Sequence, residues 1–127
     1  MSATTKAAVL VVEDHPETRE LMLDVLQGEG YSVTAAGTAA DALAQVRHSC
    51  PRLVLLDLGL PDGDGLEVAR HIRGLPDGRR VAIVALSGHF GLADTPTVLQ
   101  SGADVFLPKP VDLLELEQVM AKLLTSH

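Results

Sequence analysis

Four short runs of continuously apolar, largely branched residues punctuate this chain: Ala7–Val12, Leu53–Leu56, Val81–Leu86 and Val105–Leu107. Runs this short with no polar alternation are the pattern of strands buried on both faces, as in a parallel sheet covered by helices. Helical periodicity fills the intervals between them. Pro16, followed by Glu17 and Glu20, opens a helix to about Glu29, with Thr18, Leu21, Met22, Val25 and Leu26 on one stripe and Leu23 outside it. Thr38 can cap a second helix to about Arg47. A third spans about Leu66–Arg73, after the turn-rich segment Leu58–Gly65. Pro96 restricts the fourth to a short Pro96–Ser101 helix capped by Thr95. The fifth covers Val111–Leu124. Tyr31–Ala36 alternates like a strand near a sheet edge, so the pattern is five βα units.

Polar residues end these runs. Glu13-Asp14 follow the first, Asp57 the second and Ser87 the third, and Pro108-Lys109 follow the last. If the runs are parallel strands of one sheet, their carboxyl ends share the edge where sites form in open α/β folds. Three carboxylates brought together repel unless a cation intervenes, and oxygen donors suit a hard divalent metal. Asp57 is the candidate nucleophile, because a carboxylate can attack phosphorus to give an acyl phosphate. Lys109 and Ser87 can contact the transferred group, and no strong general base is needed. The structural alternatives are a buried acid at Asp57, helix capping by Glu13-Asp14, a solvated Lys109 and a turn-capping Ser87.

Bulk properties narrow the class. A chain of 127 residues fits one domain, taken as 1–127 with a core of about 7–124. With no Trp and 2% aromatic residues, that core must be built from Leu, Val and Ala. A net charge of −7 argues against a nucleic-acid surface. No apolar stretch is long enough to span a bilayer and no secretory leader is visible, so a cytoplasmic location is expected. Cys50 is the single cysteine and reads as a buried or half-buried inert thiol.

The ordered set of Glu13-Asp14, Asp57-Leu58-Gly59-Leu60-Pro61 closed by Asp64-Gly65, Ala85-Leu86-Ser87-Gly88, and Gly102-Ala103-Asp104 leading to Leu107-Pro108-Lys109-Pro110 resembles the receiver domain of two-component response regulators, the CheY-like superfamily. The resemblance runs from about Val9 to Leu124. It implies a flavodoxin-like, doubly wound five-stranded parallel sheet of order 2-1-3-4-5 with five helices. It further implies Mg²⁺ (or Mn²⁺) bound by Glu13, Asp14, Asp57 and the backbone carbonyl of Gly59. Asp57 would take phosphate from a sensor histidine kinase or a histidine phosphotransfer protein, with Ser87 and Lys109 contacting the phosphoryl group. Such a domain is a phosphoacceptor, not an enzyme beyond its own phosphorylation and slow dephosphorylation.

Phe106 occupies the family's aromatic switch position, so that Ser87 and Phe106 would remodel a partner surface around the fourth helix, fifth strand and fifth helix. Phe106 also reads as an ordinary core aromatic. The Leu92–Ser101 segment lacks the basic residues of receivers that dimerise through charge pairs, so a monomer or weak dimer is expected. The chain begins at Met1 and ends soon after the last helix, which reads as a single-domain regulator or phosphorelay shuttle; an excised receiver would look the same. Particular residues oppose three other classes. An inactive pseudo-receiver scaffold is opposed by the complete acid set and Lys109. A haloacid-dehalogenase-like phosphatase is opposed by Gly59 where that family has a second aspartate. A nucleotide-binding module lacks a glycine-rich loop after the first strand. His15 and His89 beside the site read as solvent-exposed loop residues.

Overall fold

The computed structural model describes residues 7–88 and 95–125, with the backbone alone described for Gly63, Asp64 and Thr95. The five main strands are β1 (Ala8–Val12), β2 (Ser32–Ala36), β3 (Leu53–Asp57), β4 (Ala82–Ser87) and β5 (Val105–Pro108). All pair in parallel, in the order β2-β1-β3-β4-β5. This is the expected doubly wound arrangement. The helices are α1 (Pro16–Gly28), α2 (Ala39–His48), α3 (Gly65–Arg73), α4 (Thr95–Gln100) and α5 (Leu113–Thr125).

Strand alternation divides the core in two. Leu10, Val12, Val54, Leu56, Ile83 and Ala85 face Ala42 and Val46 of α2, Val68, Ala69 and Ile72 of α3, and Val98 of α4. Their sequence neighbours Val9, Val11, Leu53, Leu55, Val84 and Leu86 face Met22 and Leu26 of α1 and Leu116 and Met120 of α5. Burial on both faces explains why β1, β3 and β4 carry no polar residue until their carboxyl ends.

Several expectations are refined by tertiary packing. On α1, Leu21 is 54% exposed although it lies on the apolar stripe, while Leu23 outside the stripe is half-buried. Cys50 is exposed, not buried, because α2 stops at His48 and the turn into β3 runs over the surface. Helix α5 begins later than its apolar pattern, because the Asp112 side chain accepts the amides of Leu114 and Glu115. Helix α4 is short with Pro96 in its first turn, as expected, but it runs from Thr95, read as its cap, to Gln100. His89 lies outside the described residues.

Arg73, at the end of α3, is a hub at the opposite edge of the sheet from the acids. Its Nε donates to the Gly102 carbonyl at 2.9 Å, Nη1 to Gly78 at 2.6 Å and also to Val81, and Nη2 to Asp104 Oδ2 at 2.9 Å. Asp104 also accepts the Ile83 amide at 2.8 Å, fastening the turn before β5 to β4. Gly102 has φ +118°, and a Cβ there would meet Arg73 Cγ at 2.7 Å. Only glycine satisfies both conditions.

Candidate functional site

Sheet register assembles the site. Val12 lies opposite Leu56, so Glu13 emerges beside Asp57. Asp57 is opposite Leu86, just before Ser87, and Ser87 is opposite Pro108, just before Lys109. The polar strand ends therefore fall along one edge. They border a cleft of about 310 Å³ lined by Glu13, Asp14, His15, Thr18, Asp57, Gly59, Gly88 and Lys109. Ser87 and Phe106 do not line it. Ser87 is buried at the end of β4, where its carbonyl accepts the Lys109 amide at 3.0 Å. Phe106 is half-buried against the core face shared by α2, α3 and α4.

One oxygen from each of Glu13, Asp14 and Asp57 lies within 4.8 Å of the others. Glu13 is 1% exposed and Asp57 6%, whereas Asp14 is exposed. Lys109 Nζ lies 2.8 Å from Glu13 Oε1 and 3.3 Å from Asp57 Oδ2, so one ammonium faces two buried carboxylates. Burial pushes the Glu13 carboxyl above its ordinary range despite hydrogen bonds from Lys109 and the His15 amide, and the Asp57 charge adds to the rise. Burial alone would lower the Lys109 ammonium. Its hydrogen bond to Glu13 and the charges of Asp57 and Glu13 outweigh that and hold it above the ordinary lysine range. One ammonium set against the carboxylates of three acids leaves an excess of negative charge. That donor set, all oxygen and partly open to water, fits Mg²⁺, which takes one or two carboxylates and keeps several waters.

The backbone around Asp57 is closely held. Its Oδ1 accepts the Gly59 amide at 3.0 Å. Gly59–Leu60 then pairs antiparallel with Gly63–Asp64, giving the expected turn segment a two-residue ladder. Gly65 opens α3 hard against this turn: a Cβ there would lie 2.6 Å from Leu58 Cα and 2.8 Å from the Asp57 carbonyl. The Lys109–Pro110 peptide is cis. His15 is exposed at the rim, in keeping with a loop residue.

Sequence reasoning missed two supports. Arg19 reaches back to the Glu13 carbonyl at 3.1 Å, and Asp62 accepts the amides of Ala39 and Ala40 at the start of α2. The first carried a weak signal, a cation one turn into the helix behind the acids. The second joins residues over 20 apart and carried none.

Comparison with known proteins agrees with this geometry. The family model of the response regulator receiver domain matches residues 9–121. The chain is 37% identical over 116 residues to an uncharacterized 14.6 kDa protein of Leptolyngbya boryana, covering 91% of this chain and 88% of that one. It is 36% identical to the KDP operon transcriptional regulatory protein KdpE of Escherichia coli, covering 94% of this chain and 52% of KdpE. It is 39% identical to the DNA-binding response regulator MtrA of Mycolicibacterium smegmatis, covering 89% of this chain and 48% of MtrA. The chain thus spans about half the length of these two regulators. Among solved structures, the receiver domain of the sensor histidine kinase PA1611 of Pseudomonas aeruginosa superposes with a TM-score of 0.87 at 30% identity, over 95% of this chain and 99% of that one. That structure has a magnesium ion coordinated in its active site cleft. A CheY-like receiver domain protein of Methanospirillum hungatei gives a TM-score of 0.87 at 28% identity, over 94% of each chain. Fold, acidic strand edge and family match together make this chain a member of the response regulator receiver domain family of two-component systems.

Proposed function

We propose that Asp57 accepts a phosphoryl group from a phosphohistidine on a sensor histidine kinase or histidine phosphotransfer protein. The observation that carries this is the convergence of Glu13, Asp14, Asp57 and Lys109 on one cleft. An Asp57 carboxylate oxygen attacks phosphorus as the phosphorus–nitrogen bond breaks, and the bond pair stays with the departing imidazole. Glu13, Asp14, Asp57 and the Gly59 carbonyl would hold Mg²⁺, whose charge offsets repulsion between the carboxylates and the incoming phosphoryl oxygens. Lys109, already within reach of Asp57, would transfer part of its pairing to the phosphoryl group. Ser87 would turn its hydroxyl toward a phosphoryl oxygen, and Phe106 would follow into the space vacated. That motion would alter the face formed by α4, β5 and α5, where a downstream protein would bind.

On this reading residues 1–127 hold one receiver domain with its core at about 7–124, a phosphoacceptor working as a monomer or weak dimer in the cytoplasm. Among the described residues no helix is long and apolar enough to cross a membrane. The net charge of −7 argues against nucleic-acid binding by this domain itself.

The test is intact mass after incubation with acetyl phosphate, with and without Mg²⁺, beside Asp57→Ala. A phosphate-sized gain needing both Mg²⁺ and Asp57 supports the reading. No gain from acetyl phosphate or from a cognate kinase overturns it and leaves a protein-interaction scaffold.

A further inference from the structure

Asp62 sits in the two-residue turn of the Gly59–Leu60/Gly63–Asp64 ladder, exposed and outside the cleft. Its Oδ1 accepts the Ala39 amide at 2.7 Å and its Oδ2 the Ala40 amide at 3.1 Å. The Thr38 hydroxyl takes the next amide, that of Asp41, at 3.1 Å. The opening amides of α2 are therefore divided between a local cap and a carboxylate from another loop. Those backbone hydrogen bonds hold the Asp62 carboxyl below its ordinary range.

For α2 the contact adds to a cap that Thr38 already supplies. For the loop it has a different weight. Between Asp57 and Gly65 the chain carries Gly59, Gly63 and Pro61, and an isolated two-residue ladder has little stability of its own. Leu60 anchors one arm in the core, and the Gly59 amide is tied to Asp57. Through Asp62 the turn is also bonded to a separate element, the start of α2.

We propose that Asp62 is a positioning residue for the divalent-cation site: by clamping the loop to the start of α2, it holds Gly59 at the distance from Asp57 that cation binding requires. This rests on the Mg²⁺ reading above. Partners that orient a metal ligand from outside the coordination shell commonly change metal affinity when removed. By linkage, cation binding must in turn strengthen the clamp.

The test titrates MgCl₂ into ¹⁵N-labelled protein, following the Gly59 amide resonance, for wild type, Asp62→Ala, Asp62→Asn and Thr38→Ala. Asp62→Ala should weaken Mg²⁺ binding by about three- to tenfold, at or below the lower end of outer-shell effects because the contact is exposed. Asp62→Asn, which keeps one acceptor oxygen, should weaken it less. Thr38→Ala removes only the cap on the Asp41 amide and keeps the Asp62 bonds to Ala39 and Ala40, so it should change the affinity far less than Asp62→Ala. In the wild type, Mg²⁺ should also slow hydrogen exchange of the Ala39 and Ala40 amides. Unchanged affinity in Asp62→Ala overturns the proposal, and so does an equal loss in Thr38→Ala, which would assign the effect to helix fraying. A wild type that binds no Mg²⁺ at all overturns the cation reading together with this one.

Discussion

Replacing Lys109 with Met removes the one ammonium that faces Glu13 at 2.8 Å and Asp57 at 3.3 Å while keeping a side chain of similar length. Glu13 is 1% exposed, so the change leaves a buried carboxylate unpaired beside two other acids. Breaking a buried ion pair from one side costs about 3–5 kcal/mol. The Lys109 side chain is 27% exposed and the cleft opens to water, which brings the expected loss to about 2–3 kcal/mol. For a domain of this length that is a fall in Tm of about 8–11 °C. The pH dependence has a definite sign. The folded-state pKa of Glu13 lies above its ordinary value of 4.5, so the folded protein binds more protons than the unfolded chain. Stability therefore falls as pH rises from about 4.5 through that raised pKa. Without Lys109 the pKa rises further, so the gap between variant and wild type should be largely closed near the ordinary carboxylate range and widen as pH rises above it. Mg²⁺ should restore more stability to the variant than to the wild type, since Lys109 and a divalent cation neutralise the same carboxylates. The assay is thermal unfolding followed by circular dichroism across this pH range, in EDTA and in Mg²⁺. A variant within about 0.5 kcal/mol of wild type at neutral pH, or a loss that does not change with pH, would refute the reasoning.

Other substitutions probe the scaffold. Gly65→Ala forces a Cβ to within 2.6 Å of Leu58 Cα, and should cost about 1–3 kcal/mol in urea unfolding while slowing the phosphorylation proposed at Asp57. Arg73→Lys keeps the charge but cannot bond Gly102, Gly78, Val81 and Asp104 together; a loss of about 2 kcal/mol with unchanged Mg²⁺ affinity is expected, and equal stability would show that charge alone matters. Asp112→Ala should cost about 1 kcal/mol and fray the first turn of α5, seen as faster amide exchange at Leu114 and Glu115. Exposed Cys50 should react with maleimide in the folded protein, slowly at neutral pH, because partial desolvation by its neighbours and the charge of Asp77 raise its thiol pKa.

The features legible in the chain before it folds are local or periodic. Strands β1, β3 and β4 are legible because both of their faces are buried, which removes polar residues until the strand end. That same burial makes Glu13, Asp57, Ser87 and Lys109 conspicuous as the polar groups at the carboxyl ends of the strands, and their order along the chain identifies the family. Thr38 and Pro96 mark helix starts through their own backbone chemistry.

Tertiary structure decided whatever depends on distance across the fold. Register set which strand ends stand side by side, so that one ammonium meets Glu13 and Asp57 while Ser87 stays outside the cleft. Packing left Leu21 exposed and drew Leu23 partly inward, since a helix's apolar stripe does not say where its neighbours end. Arg73 and Asp62 look like ordinary surface charges in the sequence. Each gains its role from backbone groups that only the folded chain brings within reach: carbonyls at the far edge of the sheet for Arg73, and the free amides of α2 for Asp62. A hydrogen bond needs its partner within about 3 Å, and no local pattern encodes a partner over 20 residues away.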